Sequence, residues 1–167
     1  MRRRSRGSRR APVITRIVSG AQTGVDRAAL DVALELGIPC GGWVPLGRID
    51  ENGVIPARYP GLVETDSADW NERTEANVRD SDGTLIISRG PLTGGSRYTA
   101  EVARDLGRPL LHADLATPPL AAVAGSVRRW TEANSIGVLN VAGPRASKDP
   151  GLHPLVVELL KKVLSKS

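Results

Sequence analysis

Short apolar runs that each end in a turn and lead into a helix-spaced segment recur along this chain, and that alternation restricts the fold more than any other feature. The β-branched run Val13–Ser19 (VITRIVS) closes at Gly20 and reads as a buried strand. From Gly24 to Leu36, apolar residues fall at Val25, Ala29, Val32, Ala33 and Leu36, the spacing of one helical face. Gly37 and Pro39 stop that helix, and a strand starts near Cys40. The same stop recurs at Leu106–Pro109, before a strand over Leu110–Ala113. Between them, Asp69–Arg79 reads as a helix, with Asp69 and Glu72 spaced as a capping box, and Thr84–Ser88 (TLIIS) as a second buried strand. Thr117-Pro118 places an N-cap and a first-turn proline before a helix reaching Glu132. Ile136–Ala142 is the last strand, and Asp149-Pro150 repeats the cap-then-proline signal before a helix running to Leu164. Continuously apolar strands separated by helices predict a Rossmann-like, doubly wound α/β fold, its mainly parallel sheet covered by helices on both faces. In such folds ligands sit at the carboxyl ends of the strands. Trp43–Glu64 breaks the rhythm, with Pro45, Pro56, Pro60 and no helical period. It reads as a lid or binding loop, or as an insert covering a sheet edge.

Composition narrows the function classes. No apolar run reaches the ~18 residues of a membrane helix, so no membrane contact is expected. Cys40 is the sole cysteine and His112 and His153 are the only histidines, which excludes an intrachain disulfide and a Cys-rich zinc site. Aromatic residues are 3% with no Phe, too few for a single-strand stacking platform. The net charge of +5 looks basic, yet residues 1–10 alone hold six arginines, so residues 11–167 carry −1. We therefore read residues 1–10 as a disordered Arg-rich tail and 11–167 as one ligand-binding domain. The tail is a solvated extension on the plainest reading, a loose contact for an anionic partner on a second. As a twin-arginine export signal it fails, because Arg16 interrupts the apolar stretch after Arg9-Arg10 and no cleavage region follows. The chain reads as cytoplasmic, and its near-neutral body argues against specific nucleic-acid binding.

Three loops at strand ends carry the candidate chemistry. In Ser19–Arg27 (SGAQTGVDR), Gly20 and Gly24 let backbone approach a ligand, and free N–H groups at the following helix start attract anions. Gln22, Thr23, Asp26 and Arg27 are its candidate side chains, Asp26 as an acceptor from a ligand hydroxyl or amine. The loop is neither GxGxxG nor a Walker motif, and Thr23 with Asp26 also reads as a plain capping box. In Arg89–Glu101 (RGPLTGGSRYTAE), Gly94 and Gly95 followed by Ser96 and Thr99 supply backbone donors and hydroxyls suited to a phosphate. Glu101 reads as a complement to the helix dipole, an acid/base, or an acceptor from a ribose hydroxyl. In Asn140–Ser147, Arg145 and Ser147 stand as candidates for an anion or a neighbouring subunit, with simple solvation as the alternative. Cys40 reads as core, and His112, at a strand end, as a structural histidine or, on the alternative, as one facing the site.

The segments SGAQTGVDRAALD (19–31), GGWVPLGR (41–48), IPARYP (55–60), ERTEANVRDSDGTLI (72–86), RGPLTGGS (89–96) and NVAGPRASK (140–148) together resemble the molybdenum cofactor carrier protein family. The resemblance spans nearly all of residues 14–165. It implies a Rossmann-like fold, a carrier role, and molybdenum cofactor (molybdopterin) or another phosphorylated, nucleotide-like small molecule as ligand, any metal arriving on its pterin and not on protein ligands. Related proteins are commonly homo-oligomers, which is the expectation here. The wider group includes the cytokinin-activating phosphoribohydrolases, or lysine-decarboxylase-like proteins, which carry Gly-Gly-x-Gly-Thr-x-x-Glu and an upstream Glu-Arg-Lys. Gly94, Gly95 and Glu101 keep the Gly-Gly…Glu offset, and Arg73 after Glu72 stands where their catalytic arginine would. Arg97-Tyr98 replaces their Gly-Thr and Thr74 their lysine, departures that weigh against hydrolysis and leave binding intact. Arg73 and Glu101 would be catalytic only in a hydrolase of N-glycosidic bonds; in a carrier, Arg73 would add a charge-assisted contact to phosphate.

Overall fold

A computed structural model describes residues 14–116 and 119–165. The Arg-rich tail and the Thr117-Pro118 cap lie outside the described residues. In chain order the elements are β1 (Arg16–Val18), α1 (Val25–Leu36), β2 (Cys40–Val44), β3 (Ile49–Asp50), β4 (Gly53–Val54), β5 (Leu62–Glu64), α2 (Trp70–Arg79), β6 (Gly83–Ser88), α3 (Gly94–Asp105), β7 (Leu110–Asp114), α4 (Leu120–Ala133), β8 (Val138–Ala142) and α5 (Leu152–Leu164).

Six strands pair in the order β5-β2-β1-β8-β6-β7, every neighbouring pair parallel. Helices α1, α5 and α4 pack side by side, and α2 and α3 form the other helical pair. This is the doubly wound Rossmann-like architecture. The strands read as apolar runs because both faces are covered: all six residues of β6 are buried, as are Ile17, Leu139 and Val141. Against them α1 presents Ala29, Val32 and Ala33, and α5 presents Val156, Leu159 and Leu160, each fully buried. Cys40 joins this core, where burial pushes its thiol pKa up. Among the described residues no helix is long and apolar enough to cross a membrane.

Trp43–Glu64 departs from its expected irregularity. Trp43 and Val44 end β2, and Leu62–Glu64 form edge strand β5, in register with Gly42–Val44. Between them β3 and β4 make a two-pair antiparallel hairpin closed through Glu51-Asn52, with Gly53 at φ 128°. Asn52-Gly53 is a turn signal, but two-residue strands are too short to show alternation.

Two helix starts also differ. Asp69 caps α2 by accepting from Asn71 N–H (2.9 Å), but Glu72 does not return the box; the Asp69 N–H goes to Ser67 Oγ instead. Helix α5 begins at Leu152, two residues after Asp149-Pro150; the Asp149 carboxylate is bound by Arg89 and also accepts from Gly151 N–H. The last strand starts at Val138, two residues later than expected; Gly137 and Val138 N–H both donate to Asp82, and Ile136 N–H to Thr131 O.

Candidate functional site

At the carboxyl ends of β1, β8 and β6 lies a cavity of about 430 Å³, walled by the loops after those strands and by α2 and the start of α3. It occupies the crevice beside the switch from β1 to β8, where open α/β sheets take ligands.

Its floor is the β1 loop. Gly20 is glycine because a Cβ would collide with the Arg73 guanidinium, which packs on it and donates from Nη1 to Gly20 O at 2.9 Å. Arg73 Nη1 lies 3.8 Å from Asp26 Oδ2, and both side chains are nearly dry. Burial outweighs Arg73 and the Gln22 N–H, and lifts the Asp26 pKa to about 6. Burial also lowers the Arg73 pKa, partly offset by Asp26, and the guanidinium stays charged. Gln22 is fixed by its carbonyl: Oε1 accepts from Thr23 N–H (3.1 Å) and Glu51 N–H (2.9 Å), and its buried Nε2 has no partner among the described residues.

Opposite stands the N-terminus of α3. Thr93 is its N-cap but makes no side-chain cap bond, so the first-turn amides lack a side-chain acceptor. Ser96 and Thr99 are buried on the inner face, Thr99 Oγ1 donating to Gly95 O. Lys148 Nζ hangs over this turn, 3.5 Å from where a Gly94 Cβ would stand. Trp70 walls the mouth, with the Arg73 and Arg145 guanidinium carbons 5.7 and 5.8 Å from its ring centre. Tyr98 donates to Glu75 Oε1 at 2.5 Å, bridging α3 to α2, and that bond drives the phenol pKa up to about 12. The body thus gathers cations at one crevice although its net charge is near zero.

The structure brings Gly20, Gln22, Asp26, Arg73, Gly95, Ser96 and Thr99 to the cavity wall, with Gly94 just outside under Lys148. It does not bring Thr23, Gly24, Arg27 or Glu101 there. Thr23 does not cap α1 with Asp26: its hydroxyl donates to Glu51 Oε1 and accepts from Ala146 N–H. Gly24 is the α1 N-cap at φ 81°, where a Cβ would strike Pro144 O. Arg27 pairs with Asp50 at 2.7 Å and lies over Tyr59. Glu101 is 53% exposed and pairs with Arg97 at 3.4 Å. Two residues after the inward Thr99, it lies about 200° around the helix. His112 is exposed and meets cavity-lining Ser88 Oγ at 2.7 Å; the serine proton goes to Gly90 O, so His112 Nε2 is the donor. Trp70, Lys148 and Asn140 also line the cavity without being singled out by sequence; the closing lysine of NVAGPRASK was the available signal for Lys148. Among the described residues no group of three or more His, Cys, Asp or Glu side chains is placed to hold a metal ion.

A parallel six-stranded sheet with a polar, cationic crevice at its carboxyl edge defines a Rossmann-like α/β protein. The sequence profile of the circularly permutated YpsA SLOG family matches residues 17–164, and this chain belongs to that family. A crystal structure named "Putative molybdenum carrier protein", from Syntrophus aciditrophicus SB, is 48% identical, with a TM-score of 0.91 over 95% of this chain and 100% of that one. No curated protein matches the chain.

Proposed function

We propose that this protein is a small-molecule carrier whose cavity holds a phosphorylated, nucleotide-like ligand, molybdenum cofactor being the first candidate. The observation that carries this reading is the N-terminus of the twelve-residue helix α3, which has no side-chain cap, faces the cavity, and has Lys148 beside it. Free amides, the helix dipole and an ammonium group make an anion site. Gly94, Gly95, Ser96, Thr99 and Lys148 would take the phosphate, and Arg73 and Arg145 would balance its charge. Gly20, Gln22 and Asp26 would face the remainder of the ligand, and Trp70 offers its ring as a wall. The groups present fit the phosphate end of such a ligand, and its metal would travel on the organic part. The name of the Syntrophus relative, at 48% identity, supports the cargo class. A homo-oligomer remains part of the proposal on the resemblance alone, as does the cytoplasmic location read from the sequence.

The hydrolase alternative asks Glu101 to reach the ligand, and nothing in its exposed position favours that. Mass spectrometry of small molecules released from denatured protein tests the carrier reading. A pterin phosphate or a mononucleotide at near-stoichiometric yield is expected; protein that neither releases nor rebinds any phosphorylated compound would refute it.

A further inference from the structure

The turn of the β3–β4 hairpin puts one carboxylate among donors only. Glu51 Oε1 accepts from the Thr23 hydroxyl at 2.5 Å and from Ser147 N–H at 3.1 Å; Oε2 accepts from the Ser147 hydroxyl at 2.5 Å. Arg145 Nε lies 3.2 Å from Oε2 without an aligned N–H bond. These bonds hold the Glu51 pKa below the ordinary carboxylate range. Hydroxyls, a main-chain amide and a guanidinium converging on one point form the set with which proteins bind phosphoryl oxygens.

A second observation concerns donors left over. Among the described residues the buried side-chain polar atoms without a partner are Gln22 Nε2, Arg27 Nε and Arg145 Nε. All three belong to residues held by the Asp50-Glu51 turn. Gln22 is 4% exposed, and two main-chain amides occupy its Oε1, so Nε2 is unambiguously a donor lacking an acceptor. A carboxylate presents two acceptor oxygens, whereas a phosphate presents more and could serve further donors. Gln22 and Arg145 also line the cavity, so the nest and the cavity share a wall.

The hairpin tip is lightly held, while Asp50 at its base stays paired with Arg27 at 2.7 Å. It has two ladder pairs, both Gly53 and Val54 are exposed, and Val54 is 73% so. Buried Ile55 and Tyr59 anchor the chain just beyond.

We infer that Glu51 is a built-in stand-in for an anion: its carboxylate fills an oxyanion subsite at the hairpin edge of the cavity, and a phosphoryl group displaces it and frees the hairpin. The inference rests on the cavity being the ligand site and adds a second oxyanion position, controlled by an internal competitor. A clasp and a competitor differ in sign. Without a mere clasp, the loops loosen and anions bind more weakly; without a competitor, they bind more tightly.

The test is calorimetric titration of the full chain with inorganic phosphate at pH 7.5. Glu51→Ala should bind at least tenfold more tightly than wild type, and adding Ser147→Ala should return the affinity to the wild-type level. Equal or weaker binding by Glu51→Ala overturns the inference. Should that variant not fold, hydrogen exchange on wild type decides: saturating phosphate should speed exchange at the Glu51 and Ile55 amides, and unchanged or slower exchange overturns it. Lys148→Glu keeps the two readings apart. If it leaves wild-type phosphate binding intact, the α3 reading fails; if it abolishes binding while Glu51→Ala brings no gain, this inference alone fails.

Discussion

The buried Asp26 gives the sharpest prediction. Its carboxyl has a pKa near 3.8 in an unfolded chain and about 6 in the folded one. An acid whose folded pKa is raised binds more protons folded than unfolded across that interval, so stability falls as pH rises. At about 1.4 kcal/mol for each tenfold change, the interval amounts to roughly 3 kcal/mol. The stability is present below about pH 4, is lost between 4 and 6, and is fully absent at pH 7. That loss is a large part of the ~5–15 kcal/mol that holds a typical domain together. Asp26→Asn removes the titration. Urea unfolding of both proteins from pH 4 to 8 should give a difference in unfolding free energy that moves about 3 kcal/mol toward the variant and then stays level. Arg73 loses its counter-charge in the variant, which offsets the whole curve by a constant and leaves its slope unaffected. A flat difference curve, or one moving toward wild type, would mean that the Arg73 attraction at 3.8 Å outweighs burial, and would refute the argument. Charge retained in a dry place at such cost is characteristic of binding sites.

The other predictions concern the walls. Lys148→Glu should weaken inorganic phosphate or mononucleotide binding at least tenfold by calorimetry, since it reverses the charge over the α3 amides. Gly20→Ala should drive the Arg73 guanidinium off Gly20 O, costing about 1–3 kcal/mol in urea unfolding, as overpacking does. Ligand binding should change tryptophan emission through Trp70, and Trp70→Phe should remove that change while Trp43 and Trp130 still emit.

The fold was readable where burial is two-sided and elements are long. Gly83–Ser88 shows as an apolar run because helices cover both faces of β6, and Val25–Leu36 shows its period because α1 is amphipathic over three turns. The hairpin was hidden by brevity: two residues per strand carry no period, and Pro45, Pro56 and Pro60 argue locally for loop. At Asp149-Pro150 the local signal was sound chemistry directed elsewhere. Arg89, 60 residues away, shares the carboxylate with Gly151 N–H, and the helix starts at Leu152. A cap assignment from sequence assumes that no distant partner competes, and a charged loop at a crowded strand edge is where that assumption fails.

The site divides along the same line. Gly20, Asp26 and Ser96 were visible because each lies in, or in the first helical turn after, a strand-end loop whose glycines announce it. Arg73 was visible only through the family resemblance, and Lys148 and Trp70 hardly at all, since each reaches the cavity from a different element. Glu101 shows how an offset misleads: five residues beyond Ser96 the sequence spacing is right, but the helical angle is measured from Thr99, and two residues on a helix reverse the face. Glu51 belongs to no motif. Its importance comes from what surrounds it, and a convergence of donors on one carboxylate is a property of the folded arrangement of three loops. No window of sequence contains Thr23, Glu51 and Ser147 together, so only the tertiary structure could bring the competitor to light.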